Sequence, residues 1–184
     1  MVTSETEPDR RWIGSVYRLV PHGADVLDFS HADKSPNNRW NFAGSRTLYL
    51  AEDVDIAWNE YTRHVRDRMS PGMPLRIVER DMYRLRLRLD GGVVDLCDSS
   101  VSERYGVDDM WHPVHFGSLD TTRLLADRIR RATPAQGILV PPAGFLDRRM
   151  GWNLVVFLEK MPKIEDWVLS TSLIHSFDMG TGRH

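Results

Sequence analysis

Asn38-Arg39-Trp40-Asn41-Phe42-Ala43-Gly44-Ser45-Arg46-Thr47-Leu48-Tyr49-Leu50-Ala51, followed nine residues later by Glu60, is the stretch that decides how this chain folds. Leu48 and Leu50 alternate with Tyr49, which predicts a strand over Arg46 to Ala51. Ile56, Ala57, Glu60, Tyr61 and His64 then recur at helical spacing, so a helix is expected from about Val54 to Arg66 with Asp53 placed to cap it. That spacing sets Glu60 on the helix face that carries Ile56 and Ala57. An ionised carboxylate left unpaired among apolar groups costs several kcal/mol or shifts its pKa. Glu60 therefore has either a structural ion pair, with Arg18, Arg39 or Arg63, or a wet cleft and a chemical task.

Outward from this unit, Ser15 to Val20 reads as a first strand, and Pro21 to Asn38 as a long polar loop. A stretch of that length in a compact domain is functional or conceals a short helix. Downstream, Ser70-Pro71-Gly72-Met73-Pro74 breaks the chain. Strands are expected near Arg76 to Val78, Met82 to Leu89 and Val93 to Leu96, the last two joined through Asp90-Gly91-Gly92. A short helix near Ser99 to Tyr105 precedes a longer one from Leu119 to Ala132, whose apolar stripe reads as Leu124, Leu125, Arg128 and Ile129. Gly137 to Val140 and Asn153 to Leu158 look like buried strands separated by Pro141-Pro142-Ala143-Gly144, and a further strand is expected around Trp167 to Leu173. Strands and helices mix without regular βαβ alternation, which predicts an α+β fold built on one mixed sheet. The expected organisation is an N-terminal segment over 1–14, one domain over 15–175 and a tail over 176–184.

At 184 residues, such a domain buries about 70% of the surface its unfolded chain exposes and needs no staple. Cys97 is the only cysteine, which excludes an intrachain disulfide and a cysteine-rich zinc site and fits a reducing compartment. The N-terminal Met1-Val2-Thr3-Ser4-Glu5-Thr6-Glu7 is polar and acidic, unlike a signal peptide, and no apolar run approaches the ~20 residues of a membrane span. The cytoplasm is the expected location, with no membrane partner. A net charge of −2 argues against a mainly electrostatic nucleic-acid binder. Arg84, Arg86 and Arg88 alternate with leucines as the solvated face of a half-buried strand. Arg128, Arg130 and Arg131 close the second long helix, where cations complement the dipole and aid solubility.

His112 and His115 are three apart around Pro113, with no His-Glu-x-x-His or cysteine pair beside them, so no metal site is expected. Gly-x-Gly-x-x-Gly, Walker-type Gly-Lys-Ser/Thr and Gly-x-Ser-x-Gly segments are all absent. Trp40, Trp58, Trp111 and Trp152 read as core or cleft-wall residues.

From about Val16 to Phe157 the order of signals resembles the RES-domain family, named for an arginine, a glutamate and a serine. Tyr17-Arg18 looks like the family's early arginine, Arg39-Trp40-Asn41 with Gly44 like its Gly-Arg-Trp-Asn-x-x-Gly segment, and Tyr49 like its strand tyrosine. Glu60 falls where the family glutamate is expected, and Gly137 to Pro141 with Gly151 and Asn153 look like the closing strand, the Pro-Ser-Ala loop and the Gly-x-Asn. Asn38 replaces a glycine, and Pro142 stands where the serine belongs, removing a hydroxyl and a backbone N–H.

The resemblance implies a fold related to ADP-ribosyltransferases, a toxin role countered by a cognate antitoxin, and NAD as substrate with no other cofactor. The expected reaction is phosphorolysis or hydrolysis of NAD, with inorganic phosphate one acceptor, or transfer of ADP-ribose to a protein. An inert nucleotide-binding protein on the same fold is the rival. On this reading Glu60, Arg39 and Tyr49 carry the chemistry. Arg18, Tyr17, Trp40, Asn41 and Pro142 line the substrate.

Overall fold

The computed structural model describes residues 11–32, 38–67, 79–144 and 151–177. Among these residues seven strands form one sheet: β1 (Trp12–Pro21), β2 (Thr47–Ala51), β3 (Arg80–Leu89), β4 (Val93–Asp95), β5 (Gly137–Val140), β6 (Asn153–Phe157) and β7 (Val168–Phe177). Their spatial order is β4-β5-β6-β2-β1-β3-β7. Only β4 and β5 pair in parallel, and every other neighbour is antiparallel. The helices are α1 (Val54–Asp67), α2 (Ser99–Arg104), α3 (Trp111–His115), α4 (Leu119–Ala132) and α5 (Ile164–Trp167). The expected α+β class with a mixed sheet is what the chain adopts. The strand expected near Arg76 to Val78 lies outside the described residues, and none of these helices is long and apolar enough to cross a membrane.

Alternation along the strands divides the core between the two sheet faces. Val16, Leu48, Leu50, Leu85, Leu87, Leu154 and Val156 point to one face, where Val26 and Phe29 of the loop after β1 and Trp167 of α5 cover them. Val155, Phe157, Ile138 and Val140 point to the other, under Val114 of α3 and Leu125, Ala126 and Ile129 of α4. On that second face α1 sets Ile56 and Ala57 against Ala51 and Met82. The gap between α1 and the α3–α4 pair is where the cavity opens.

Two sequence expectations need correction. The buried stripe of α4 is Thr122, Leu125, Ala126 and Ile129, while Leu124 is 60% exposed. The spacing i, i+3, i+4, i+7 fits this stripe once a threonine is admitted, and Thr122 belongs because its hydroxyl bonds the carbonyls of Arg39 and Leu119. Arg130 is not a solubilising residue either. Its side chain is 10% exposed, pairs with Glu159 at 3.2 Å, donates to Thr47 Oγ1 at 2.7 Å and lies over the Phe157 ring. Arg84 and Arg86 are solvated as expected, opposite fully buried Leu85 and Leu87. Neither the one-turn α3 nor α5 carries a periodicity long enough to read in advance.

Candidate active site

The floor of the cavity is set by strand register. Tyr17 lies opposite Ala51, Ala51 opposite Asn153, and Asn153 opposite Val140, so one row of residues crosses β1, β2, β6 and β5. Paired residues share a face. The row therefore brings the Asn153 side chain beside the turn that leaves β5 through Pro141 and Pro142. Helix α1 starts on an Asp53 cap, whose carboxylate accepts from Ile56 N–H at 2.7 Å, and it carries Glu60 over the same row.

Three donors converge on Glu60 Oε1: the backbone N–H of Ala143 at 2.6 Å, that of Gly144 at 3.0 Å and the Asn153 amide at 2.9 Å. Arg63 holds Oε2 through Nε at 3.3 Å and Nη2 at 3.2 Å. Of the three arginines open to Glu60 from sequence, Arg63, one turn away on the same helix, makes the pair. The loop comes this close because residue 144 is glycine: a Cβ there would stand 3.0 Å from the Asn59 carbonyl carbon and 3.1 Å from Glu60 N.

The cavity, about 270 Å³, is lined by Tyr17, Arg18, Arg39, Trp40, Tyr49 and Glu60, together with Arg63, His64, Pro141, Ala143 and Asn153 among others. Arg39 stands out electrostatically. Its Nε and Nη1 are buried and have no hydrogen-bond partner among the described residues. Burial first, and then the nearby Arg63 cation, pull the guanidinium below its ordinary pKa, although it remains a cation at neutral pH. The segment that carries it is fixed from α4: Thr122 donates to the Arg39 carbonyl at 2.7 Å and Arg123 to the Asn38 carbonyl at 2.9 Å.

The other predicted site residues separate into two groups. Tyr17 and Trp40 line the cavity. Arg18 also reaches it, but its guanidinium donates to the carbonyls of Val26 and Asp28 and lies 4.9 Å from the Phe29 ring centroid. Tyr49 presents its ring to the cavity while its hydroxyl donates to Asn41 Oδ1 at 2.7 Å and accepts from Trp40 N–H at 3.0 Å. The hydroxyl thus serves the Asn38–Asn41 segment and not Glu60, and burial pushes its pKa upward. Asn41 is buried at 3% exposure behind Tyr49, donating to the Phe42 and Ser45 carbonyls of the turn that Gly44 closes at φ 87°.

Pro142 is buried, and the cavity wall at this point is its neighbours Pro141 and Ala143. The His115 imidazole faces the Pro142 carbonyl and is held below its ordinary pKa by burial and by the Arg39 charge. Asn153, Thr122 and the Ala143 and Gly144 N–H groups are not singled out by the sequence for these contacts, whereas Arg63 is one of the three arginines it offers. Asn153 stood within the Gly-x-Asn signal, and the i,i+3 spacing of Glu60 and Arg63 is itself a pairing signal. A backbone donor leaves no signal in side-chain identity.

A family model described as the RES domain matches residues 15–176. No curated protein sequence matches the chain. Among solved structures, it is similar to a chain of the M. tuberculosis MbcT-MbcA toxin-antitoxin complex, at 20% identity and a TM-score of 0.65 over 92% of this chain and 86% of that one. That likeness is one of fold. With its arginine-lined cavity, its anchored glutamate and a family match over most of its length, this chain belongs to the RES-domain family.

Proposed function

We propose that this protein cleaves the bond between nicotinamide and ribose in NAD and so depletes it. The observation that carries the reading is Arg39, a half-buried cation with two buried donor atoms that have no partner among the described residues, in the same cavity as an anchored carboxylate. A planar guanidinium with free N–H groups suits the paired oxygens of a pyrophosphate. When the glycosidic bond breaks, its electron pair leaves with nicotinamide, and ribose C1′ takes on oxocarbenium character that a fixed carboxylate stabilises. Glu60 holds that position, with five N–H groups fixing its orientation. The Tyr49 ring offers a flat apolar wall to nicotinamide or ribose. Phosphate, water or a protein side chain completes the reaction by attacking C1′ and giving up a proton.

The name of the M. tuberculosis structural neighbour supports a second element of the reading, that the protein is a toxin restrained by a cognate antitoxin. The test is nicotinamide release from NAD by the purified protein, with product masses naming the acceptor. Glu60→Gln is expected to slow release by at least about a hundredfold, the value of one lost transition-state contact. One observation favours the rival, an inert nucleotide-binding protein: the buried Pro142 offers neither hydroxyl nor N–H. NAD bound without any turnover would decide for it.

A further inference from the structure

Six large apolar side chains are exposed among the described residues, and three of them, Leu169, Leu173 and Ile174, lie on β7. Among the described residues this strand is the last of the sheet, and it is ten residues long, whereas the opposite edge, β4, has three. Natural edges are guarded by charged side chains, proline, shortness or bulges. From Val168 to Phe177 there is no Lys, Arg, Asp, Glu or Pro. There are two register shifts against β3, which leave Leu169 and Ile174 as the extra residues. Those residues are 43% and 44% exposed, so the bulges add apolar surface in place of a repelling group.

Between the bulges Ser170, Thr171, Ser172 and Leu173 pair regularly with Arg86, Leu85, Arg84 and Tyr83. The sequence here, Leu169-Ser170-Thr171-Ser172-Leu173, reads the same in both directions about Thr171. Two antiparallel strands related by a two-fold axis at one residue bring position 171+n opposite 171−n. The symmetry therefore sets leucine against leucine, serine against serine and threonine against threonine, with no charge facing a like charge. Pairing with an unrelated strand would require no such palindrome.

We propose that β7 is the interface for a second copy of this chain, pairing antiparallel about Thr171 and extending the sheet across the dimer. Arg84 and Arg86 do not oppose this. They sit one strand in, so each lies about 14 Å from the copy's equivalent strand, beyond the ~8 Å screening length at physiological salt. Thr171 and Leu173 share a face with Leu85 and Tyr83 and so continue the apolar layer up to the partner. The cavity stays open, because β1, the nearest strand of its floor, is separated from β7 by β3.

Sedimentation of the natural protein over a concentration series should show a dimer, and Leu173→Lys a monomer with unchanged circular dichroism and thermal melt. A Thr171→Cys, Cys97→Ser double variant should form a covalent dimer on mild oxidation, because facing Cα atoms about 4.5–5.5 Å apart are within disulfide reach. Leu173→Cys in the same background should not link to itself, its copies lying about 14 Å apart along the strands, but should link to Leu169→Cys when the two are mixed. A natural protein that is monomeric at every concentration, or a dimer that Thr171→Cys does not capture, overturns the proposal. If Leu173→Lys fails to fold, the cysteine pairs decide alone.

Discussion

Truncating Glu60 to alanine leaves the Ala143 and Gly144 N–H groups, the Asn153 amide and the Arg63 guanidinium facing a void where the carboxylate stood. Stranding one partner of a buried ion pair costs roughly 3–5 kcal/mol. Side-chain exposures of 18% for Glu60 and 26% for Arg63 allow water to recover part of this, so about 3 kcal/mol is expected from that range. Glu60→Gln is different. Its amide oxygen can keep all three donors on the Oε1 side and loses the charge-assisted Arg63 contacts while Arg63 keeps Asp67, at about 1.5 kcal/mol. For a chain of this size those losses correspond to melting shifts of roughly 6–12 °C and 3–6 °C. Urea denaturation of the purified variants measures both. Equal destabilisation by the two substitutions, or less than about 1 kcal/mol for alanine, would refute the reading that this carboxylate ties the β5–β6 turn to α1. The contrast also protects the functional test, because a folded Glu60→Gln protein that no longer cleaves NAD has lost charge and not architecture.

Arg39→Lys is expected to weaken NAD binding by roughly 10–100-fold, from about 1.5–3 kcal/mol of charge-assisted contact, and Arg18→Lys by less, since Arg18 already holds loop carbonyls; calorimetric titration measures both, and equal effects would count against the distinction. Pro142→Ser is expected to raise nicotinamide release up to about tenfold, provided the turn accommodates it, from the 0.5–1.5 kcal/mol of a neutral contact, and an unchanged rate in a folded variant would show that the serine's position is not used here. Asp81, held at about 2 by the Gly23 N–H first and then His22, binds fewer protons folded than unfolded between that value and ~3.9. Its stabilisation is thus complete above the unfolded pKa and disappears as pH falls towards 2, so the urea midpoint of Asp81→Asn should drop less between pH 5 and pH 3 than that of the natural protein. Leu125→Ala should destabilise by about 2–5 kcal/mol and Leu124→Ala by no more than about 0.5 kcal/mol, reflecting 7% against 60% exposure.

What could be read from the sequence was whatever leaves a periodic or compositional trace. The Leu48-Tyr49-Leu50 alternation, the Asp53 cap and the inward Glu60 each follow from residue type and spacing within one element, and the structure places all three accordingly. The partner of Glu60 was narrowed to three arginines, yet two of its five donors are backbone N–H groups, which any non-proline residue supplies. The sequence does not show that Asn41 folds back to take the Tyr49 hydroxyl, so the partner of that hydroxyl is not legible in it. Arg130 was misplaced for a similar reason: a cation in the last helical turn has an adequate local explanation, and only the tertiary fold reveals Phe157 and Glu159 beneath it. Local physics is legible in one dimension, and long-range satisfaction of polar groups is not.

The three groups that hold Glu60 Oε1 are 83, 84 and 93 residues further along the chain. During synthesis at about 5–20 residues per second, α1 leaves the ribosome roughly 5–20 s before Asn153 does. Until then Glu60 has Arg63 on its own helix but not its full set of donors on Oε1, so the growing chain carries every residue of its first half before the cavity they form is complete. A complete cavity is therefore withheld by order of manufacture, and exists only once β6 has emerged and paired with β2 and β5.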